Sequence, residues 1–276
     1  MLLKKTVESR CPLLLLKREQ NQLFQFPALN RLPGVIHAIT TRAGGASWPP
    51  FEGMNLSFGV GDDPVAVTSN RRWLHRLTGG IHVYSRQNHG TTVGVITRQT
   101  LGDRDAAIQT APVAADALIT DVPGIRLLIQ TADCQAVMLV DPVKRVVANV
   151  HSGWRGSVAN IIGHTVARMI TGFGCDPGGM TAAIGPSLGP CCAEFVNYRT
   201  EIPEPLWRFR VGTCHFDFWR ISRHQLVAAG LSADNLFGAD ICTRCNPHLF
   251  FSYRVSRQTG RLAALIGLDE PVGGNR

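Results

Sequence analysis

No apolar run in the 276 residues approaches the 18 or more that a membrane-spanning helix needs, so a membrane protein is not expected. Internal repeats, low-complexity tracts and an obvious linker are also missing, which excludes solenoids and leaves one large domain or two modest ones. Charge is sparse at 17%, against 45% hydrophobic residues, the balance of an ordinary globular protein with ample core. No nucleic-acid-binding signature accompanies the net charge of +8. Residues 1–31 hold six Lys/Arg against two acids, and the remaining excess is scattered. A small anionic substrate is therefore expected, and no nucleic acid. The nine histidines include no His-x-His pair, so a multicopper electron relay lacks its ligands. The patch Leu13–Leu16 is too short for a secretory core, and no small-residue cleavage site follows it. With that signal missing, the eight cysteines read as free thiols and the expected compartment is cytoplasmic.

What is present reads as alternating short strands and helices. Strands are expected at Val35–Thr41, Ile81–Ser85, Val93–Thr97, Ala117–Thr120, Ile125–Thr131, Met180–Ile184, Leu249–Tyr253 and Leu262–Leu268. Asp63-Pro64 supplies a cap and a first-turn proline for a helix that Gly79-Gly80 stops. Apolar residues at helical spacing predict a second helix over Ser157–Thr171, and a third spans Asp217–Ala229 with Gly230 as its stop. Several neighbouring strands read as hairpins, which favours an α+β fold in a single mixed domain over a doubly wound parallel sheet. The expected division is a basic N-terminal tail or docked extension at 1–31 and one catalytic domain at 32–270.

The densest chemistry lies around Thr131-Ala132-Asp133-Cys134 and His151-Ser152-Gly153-Trp154-Arg155-Gly156. Two apolar strands and the turn Asp141-Pro142-Val143-Lys144 separate them. If that turn closes the hairpin, paired residue numbers sum to 285 and Cys134 lies directly opposite His151, on the same face. His89 also sits where an apolar strand gives way to glycine. Two imidazoles and one thiolate make a three-ligand zinc set with a fourth position open, the pattern of catalytic zinc. The same residues also allow Cys134 to act as a nucleophile with His151 as its base, and both readings need a thiolate. Arg42, Arg155 and Arg254 each place a guanidinium beside a tight backbone, where phosphate can be clamped. Cys242-Thr243-Arg244-Cys245 lacks a second spaced pair, since the remaining doublet, Cys191-Cys192, is adjacent; it reads as structural or incidental.

Further motifs occur along the chain in a fixed order. They are Thr41-Arg42-x-Gly44-Gly45, Asn55-Leu56-Ser57, Gly61-Asp62-Asp63, Asn70-Arg71, Gln87-x-His89-Gly90 and Asp116-Ala117-Leu118-Ile119-Thr120. After the Cys134 and His151 motifs come Gly185-Pro186, Cys242-Thr243 and Phe251-Ser252-Tyr253-Arg254. Over Val35 to Gly267 this order resembles the YfiH-like family, long labelled laccase-domain or polyphenol oxidases and now described as purine nucleoside phosphorylases. The resemblance implies a layered α/β/β/α sandwich and a zinc site of His89, Cys134 and His151, with zinc favoured over copper. It implies phosphorolysis of adenosine, inosine, guanosine and methylthioadenosine to base and ribose 1-phosphate, and deamination of adenosine. Arg42, Asn55, Arg155 and Arg254 would then serve substrate or phosphate. No H-x-E motif is present, so Asp133 is the proton carrier to test. The chain departs from the family in its first thirty residues, in Cys245 and at Val255. Some relatives are described as peptidoglycan editing factors, so a cysteine or zinc hydrolase acting on an aminoacyl-muramyl nucleotide stays as the alternative. A noncatalytic interaction protein and a polyphenol oxidase rank below it, and protein partners stay open.

Overall fold

The computed structural model describes residues 13–101 and 112–269. In chain order its strands are β1 (Leu14–Arg18), β2 (Asn21–Gln25), β3 (Val35–Thr40), β4 (Ile81–Tyr84), β5 (Val93–Val95), β6 (Ala117–Thr120), β7 (Ile125–Thr131), β8 (Gln135–Asp141), β9 (Val146–Ser152), β10 (Thr181–Ile184), β11 (Arg210–Val211), β12 (His215–Phe216), β13 (Leu236–Gly238) and β14 (Leu262–Leu268). They form one sheet ordered β1-β2-β3-β14-β7-β4, a second ordered β13-β10-β8-β9-β6-β5, and a small β11-β12 ribbon. Both large sheets are mixed, because β4 runs parallel to β7 and β5 to β6 while most other pairs are antiparallel.

Period-two alternation decides which side chains each sheet gives to which layer. Along β7, Ile125, Leu127 and Ile129 enter the core between the sheets, while Leu128 faces out. Along β8, Ala136, Met138 and Val140 point into the same core, and Val137 and Leu139 face the other way. The outer face of the first sheet packs on the helix Pro64–Thr78 through Leu74 and Trp73. The outer face of the second packs on Ile161–Phe173 and Phe218–Ala228 through Ile162, Val166, Met169 and Leu226. The order is helix, sheet, sheet, helix, a mixed α/β sandwich.

The Pro64–Thr78 helix has the Asp63 cap, whose carboxylate accepts from the Val65 amide, and ends at Gly79. Residues 14–25 form a hairpin that extends the first sheet through β2 and β3. Residues 1–12 of the expected N-terminal extension, and residues 102–111 and 270 of the expected domain, lie outside the described residues.

Three local expectations are corrected. The Ser157–Thr171 helix is two pieces, Trp154–Val158 and Ile161–Phe173, because Asn160 takes the left-handed conformation and its side chain caps the Gly163 amide. Asparagine adopts that conformation at low cost and bonds its own backbone, which here outweighs apolar periodicity. Leu249–Tyr253 is not a strand. The amides of Leu249 and Phe250 both turn back to the Asn246 carbonyl, and Phe250 and Phe251 are apolar because they fill the core between the sheets. The β8-β9 hairpin pairs Asp141 with Val146, so its register sums to 287 rather than 285. The Asp141 carboxylate accepts from the Val143 and Lys144 amides, and Arg145 closes a four-residue loop at φ 53°. His151 therefore faces Ala136, not Cys134. A shift of two keeps every side chain on its face, so Cys134 stays on the inner side with His151.

Candidate metal centre and pocket

The chain crosses from the first sheet to the second at Ala132-Asp133-Cys134, between β7 and β8, and the site is built at that seam. His151 is the penultimate residue of β9 in the second sheet. His89 follows β4 of the first sheet in a turn with φ 62°. One ligand atom from each of His89, Cys134 and His151 lies within 4.8 Å of the others, and Cys134 Sγ is 3.9 Å from His89 Nε2.

A single buried carboxylate organises both imidazoles. Asp116 stands opposite His151 at the start of β6 and accepts from its Nδ1 at 2.9 Å. Its two oxygens also accept the backbone amides of His89 and Gly90 at 2.9 Å each, which holds the left-handed His89 turn. With Nδ1 donating to Asp116, Nε2 is the His151 nitrogen left to face Cys134. Burial opposes ionisation of the Cys134 thiol, but the neighbouring His151 and His89 outweigh it and bring the thiol down to about 6. Burial likewise acts against charge on His151, yet Cys134 and Asp116 raise it to about 9.

The donor set fits a zinc ion. Zinc bonds of about 2.0–2.3 Å to nitrogen and sulfur need ligand atoms about 3.5 Å apart, which small side-chain shifts provide. Space is kept for those atoms at Gly153, where an added Cβ would stand 2.8 Å from His89 Cδ2 and 3.1 Å from Cys134 Sγ. The three donors open onto a cavity of about 920 Å³. Its walls carry Trp154, Phe195, Phe218 and Tyr253, and five arginines, namely Arg71, Arg86, Arg155, Arg254 and Arg261.

Of the residues singled out in the sequence, His89, Cys134, His151, Asp133, Arg155 and Arg254 meet at this cavity. Among the described residues Asp133 is the one acidic side chain lining it, and both of its oxygens are engaged. One accepts Thr243 Oγ1 at 2.6 Å and the other the Arg254 amide at 2.7 Å. These bonds hold a backbone with φ 85°, so Asp133 is a brace for the Cys134 turn rather than an open proton carrier. Arg155 stacks on Trp154 at 4.3 Å, and Arg254 lies 5.5 Å from the Phe195 ring while donating to the Glu194 carbonyl.

Asn55 and Arg42 are corrected. Asn55 is fully buried, donates to Ser57 and Asp62, and accepts the Arg261 and Ser57 amides. It is a loop brace, with every polar group in use. Arg42 donates to the carbonyls of Pro247 and Glu52 and lines a separate surface depression. Sequence reasoning missed the roles of Asp116 and Arg71, although both sit in quoted motifs. It also missed Arg86 and Arg261, which carry no local signal and reach the cavity through folding alone.

A family model described as multi-copper polyphenol oxidoreductase laccase matches residues 36–269. The chain is 35% identical over 251 residues to the Geobacillus stearothermophilus protein named purine nucleoside phosphorylase YlmD, covering 86% of this chain and 91% of that one. It is 31% identical over 248 residues to the Escherichia coli K12 protein named purine nucleoside phosphorylase YfiH, covering 85% and 94%. The crystal structure of YlmD from Geobacillus stearothermophilus superposes with a TM-score of 0.82 at 32% identity, over 94% of this chain and 100% of that one.

Proposed function

The chain belongs to this laccase-described, YfiH/YlmD family, and on that premise we propose that it is a zinc-dependent purine nucleoside phosphorylase. The observation that carries the reading is the charge of the cavity. Among the described residues five arginines face one carboxylate that is already bonded, around three convergent candidate metal donors. A site that stores uncompensated positive charge next to aromatic walls suits a phosphate and a flat, uncharged ring together.

In this reading the purine lies among Trp154, Phe195 and Phe218, and the guanidinia of Arg155 and Arg254 hold inorganic phosphate. A phosphate oxygen forms the new bond to C1′, the C1′–N9 bond breaks, and the base leaves with the electron pair. His89, Cys134 and His151 are the proposed zinc ligands, and the ion, when bound, supplies Lewis acidity at neutral pH. Asp116 fixes the His151 tautomer, and Asp133 fixes the Cys134 turn. Adenosine, inosine, guanosine and methylthioadenosine are the proposed substrates, with adenosine deamination as a second activity of the same cavity. Ligation demands a reduced Cys134, which a cytoplasmic setting supplies. No helix among the described residues is long and apolar enough to cross a membrane.

The test is hypoxanthine release from inosine by zinc-loaded protein, with and without phosphate and with a chelator. Release that needs both phosphate and metal is expected. If inosine stays intact while an aminoacyl-muramyl nucleotide is cleaved, the reading fails in favour of an editing hydrolase.

A further inference from the structure

A second group of donors lies outside the lining of the cavity. One ligand atom each from Cys191, Cys192, Cys242 and Cys245 lies within 4.8 Å of all the others. Cys191 Sγ and Cys192 Sγ are each 3.6 Å from Cys245 Sγ. Four sulfurs around a single zinc ion, each about 2.3 Å from it, stand about 3.8 Å apart along the tetrahedral edges. A disulfide needs its two sulfurs at about 2.05 Å and sorts four cysteines into two pairs. Here the four converge on one point, and there is room at that point for one ion.

The backbone around the sulfurs is organised for thiolates. The loop Gly189-Pro190-Cys191-Cys192 turns so that the amides of Cys192 and Ala193 both bond the Gly189 carbonyl. The Cys242–Cys245 turn is anchored to it by the Ser187–Cys242 bridge, with the Thr243 amide on the Ser187 carbonyl. Amides of Gly189 and Cys245 are directed at the Cys242 sulfur. Amide donors to sulfur stabilise a ligating thiolate as they do any buried anion. Trp219 packs against Cys192 and Cys242, and its Nε1 bonds Ser187 Oγ at 2.7 Å. Gly189 leaves the gap this packing needs, since a Cβ there would meet Trp219 at 2.8 Å and the Cys242 Cβ at 3.1 Å. Without a cation, burial and then the crowding of the neighbouring thiols push Cys191 up, and burial brings Cys242 to about 11. A bound dication reverses that preference.

We propose that Cys191, Cys192, Cys242 and Cys245 form a second, structural site for one thiophilic divalent cation, zinc by its all-sulfur tetrahedral donor set. The site is closed, with four protein ligands and no position for substrate. Its position in the fold gives it a use. Thr243, between two of its ligands, holds Asp133 beside Cys134, so the knuckle braces the turn that carries the first site's thiolate.

The test separates the two sites. Full-length protein with Cys134→Ser, purified under reducing conditions, should retain one zinc per chain, and wild type two. Cobalt added to apo Cys134→Ser should give intense sulfur-to-metal charge-transfer absorption, and Cys245→Ser in the same background should lose it. Thiol labelling of the zinc-loaded Cys134→Ser protein should spare these four cysteines until a chelator is added. Where Cys245→Ser does not fold, the cobalt spectrum and the labelling of Cys134→Ser alone decide. No zinc in Cys134→Ser, no charge-transfer band, or intact-mass evidence of disulfides among the four after reducing purification would overturn the proposal. None of these readouts depends on nucleoside turnover, so they stand or fall separately from the proposed activity.

Discussion

The two sulfur-bearing regions are alike in burial and opposite in surroundings. Cys134 has two imidazoles beside it, a carboxylate behind one of them and a cavity in front. Cys191, Cys192, Cys242 and Cys245 have one another and a tryptophan, and none of the four lines the cavity, which they meet only through Leu188 and Ala193 beside them. A thiol beside protonatable bases ionises near neutral pH, whereas a thiol among thiols resists ionisation until a metal arrives. The contrast separates an open site, where charge and space are kept for a reactant, from a closed one, where all coordination is internal.

The largest expected effect that sharpens this contrast is on activity. Cys134→Ser should abolish phosphate-dependent inosine cleavage and remove one zinc equivalent while leaving the thermal midpoint close to wild type. Inductively coupled plasma mass spectrometry beside a melting curve checks both. Unchanged zinc content would break the contrast outright.

Next in size is Gly153→Ala. A methyl group 2.8 Å from His89 and 3.1 Å from Cys134 overpacks only the open site. Overpacking costs about 1–3 kcal/mol, so zinc affinity of the first site should fall by roughly 10–100-fold. Competition against a zinc-binding dye measures it. Asp116→Asn should cost a similar or smaller factor, about 10–100-fold in metal affinity, because an outer partner of a ligating histidine is lost. Here the effect should fall on the zinc dissociation constant and leave the four-cysteine site intact.

A last prediction concerns acid stability and uses two other buried histidines. His37 accepts the Phe26 amide on Nε2 and is held down to about 4, chiefly by burial. His82 is held down to about 3 by burial and by nearby cations. Both are neutral in the folded protein, while the unfolded chain takes up protons below about 6.5. Their contribution is therefore complete above about 6.5 and is lost as pH falls toward the folded values. At pH 5 each site should cost roughly 2 kcal/mol. Urea midpoints at pH 7.5 and 5 should show the loss, and His37→Gln should shrink it. An identical pH dependence in that variant would reject the assignment.

Local signals carried much of the fold. The Asp63-Pro64 cap, the β6 and β7 boundaries and β14 follow from turn chemistry and apolar runs that neighbouring residues alone determine. Asn160 shows where such signals mislead, since helical periodicity on both sides hides a break made by one side chain. Of the site, the convergence of His89, Cys134 and His151 was legible because each stands near the end of an apolar strand, next to glycine or at a turn. Asn55 and Arg42 looked equally promising, and only their packed partners show that their polar groups are already used.

By itself, the sequence determined that strands would alternate their faces, that Cys134 and His151 would share one, and that glycine would stand where donors crowd. The parity survives a hairpin shift of two residues because the side-chain period is two. Only the tertiary structure decided that β7 would leave one sheet and β8 enter the other. That crossing brings His89, Asp116 and Arg261 into place, and the parallel pairing of β10 with β13 brings two distant cysteine pairs together, through contacts between residues far apart in the chain that no local pattern encodes.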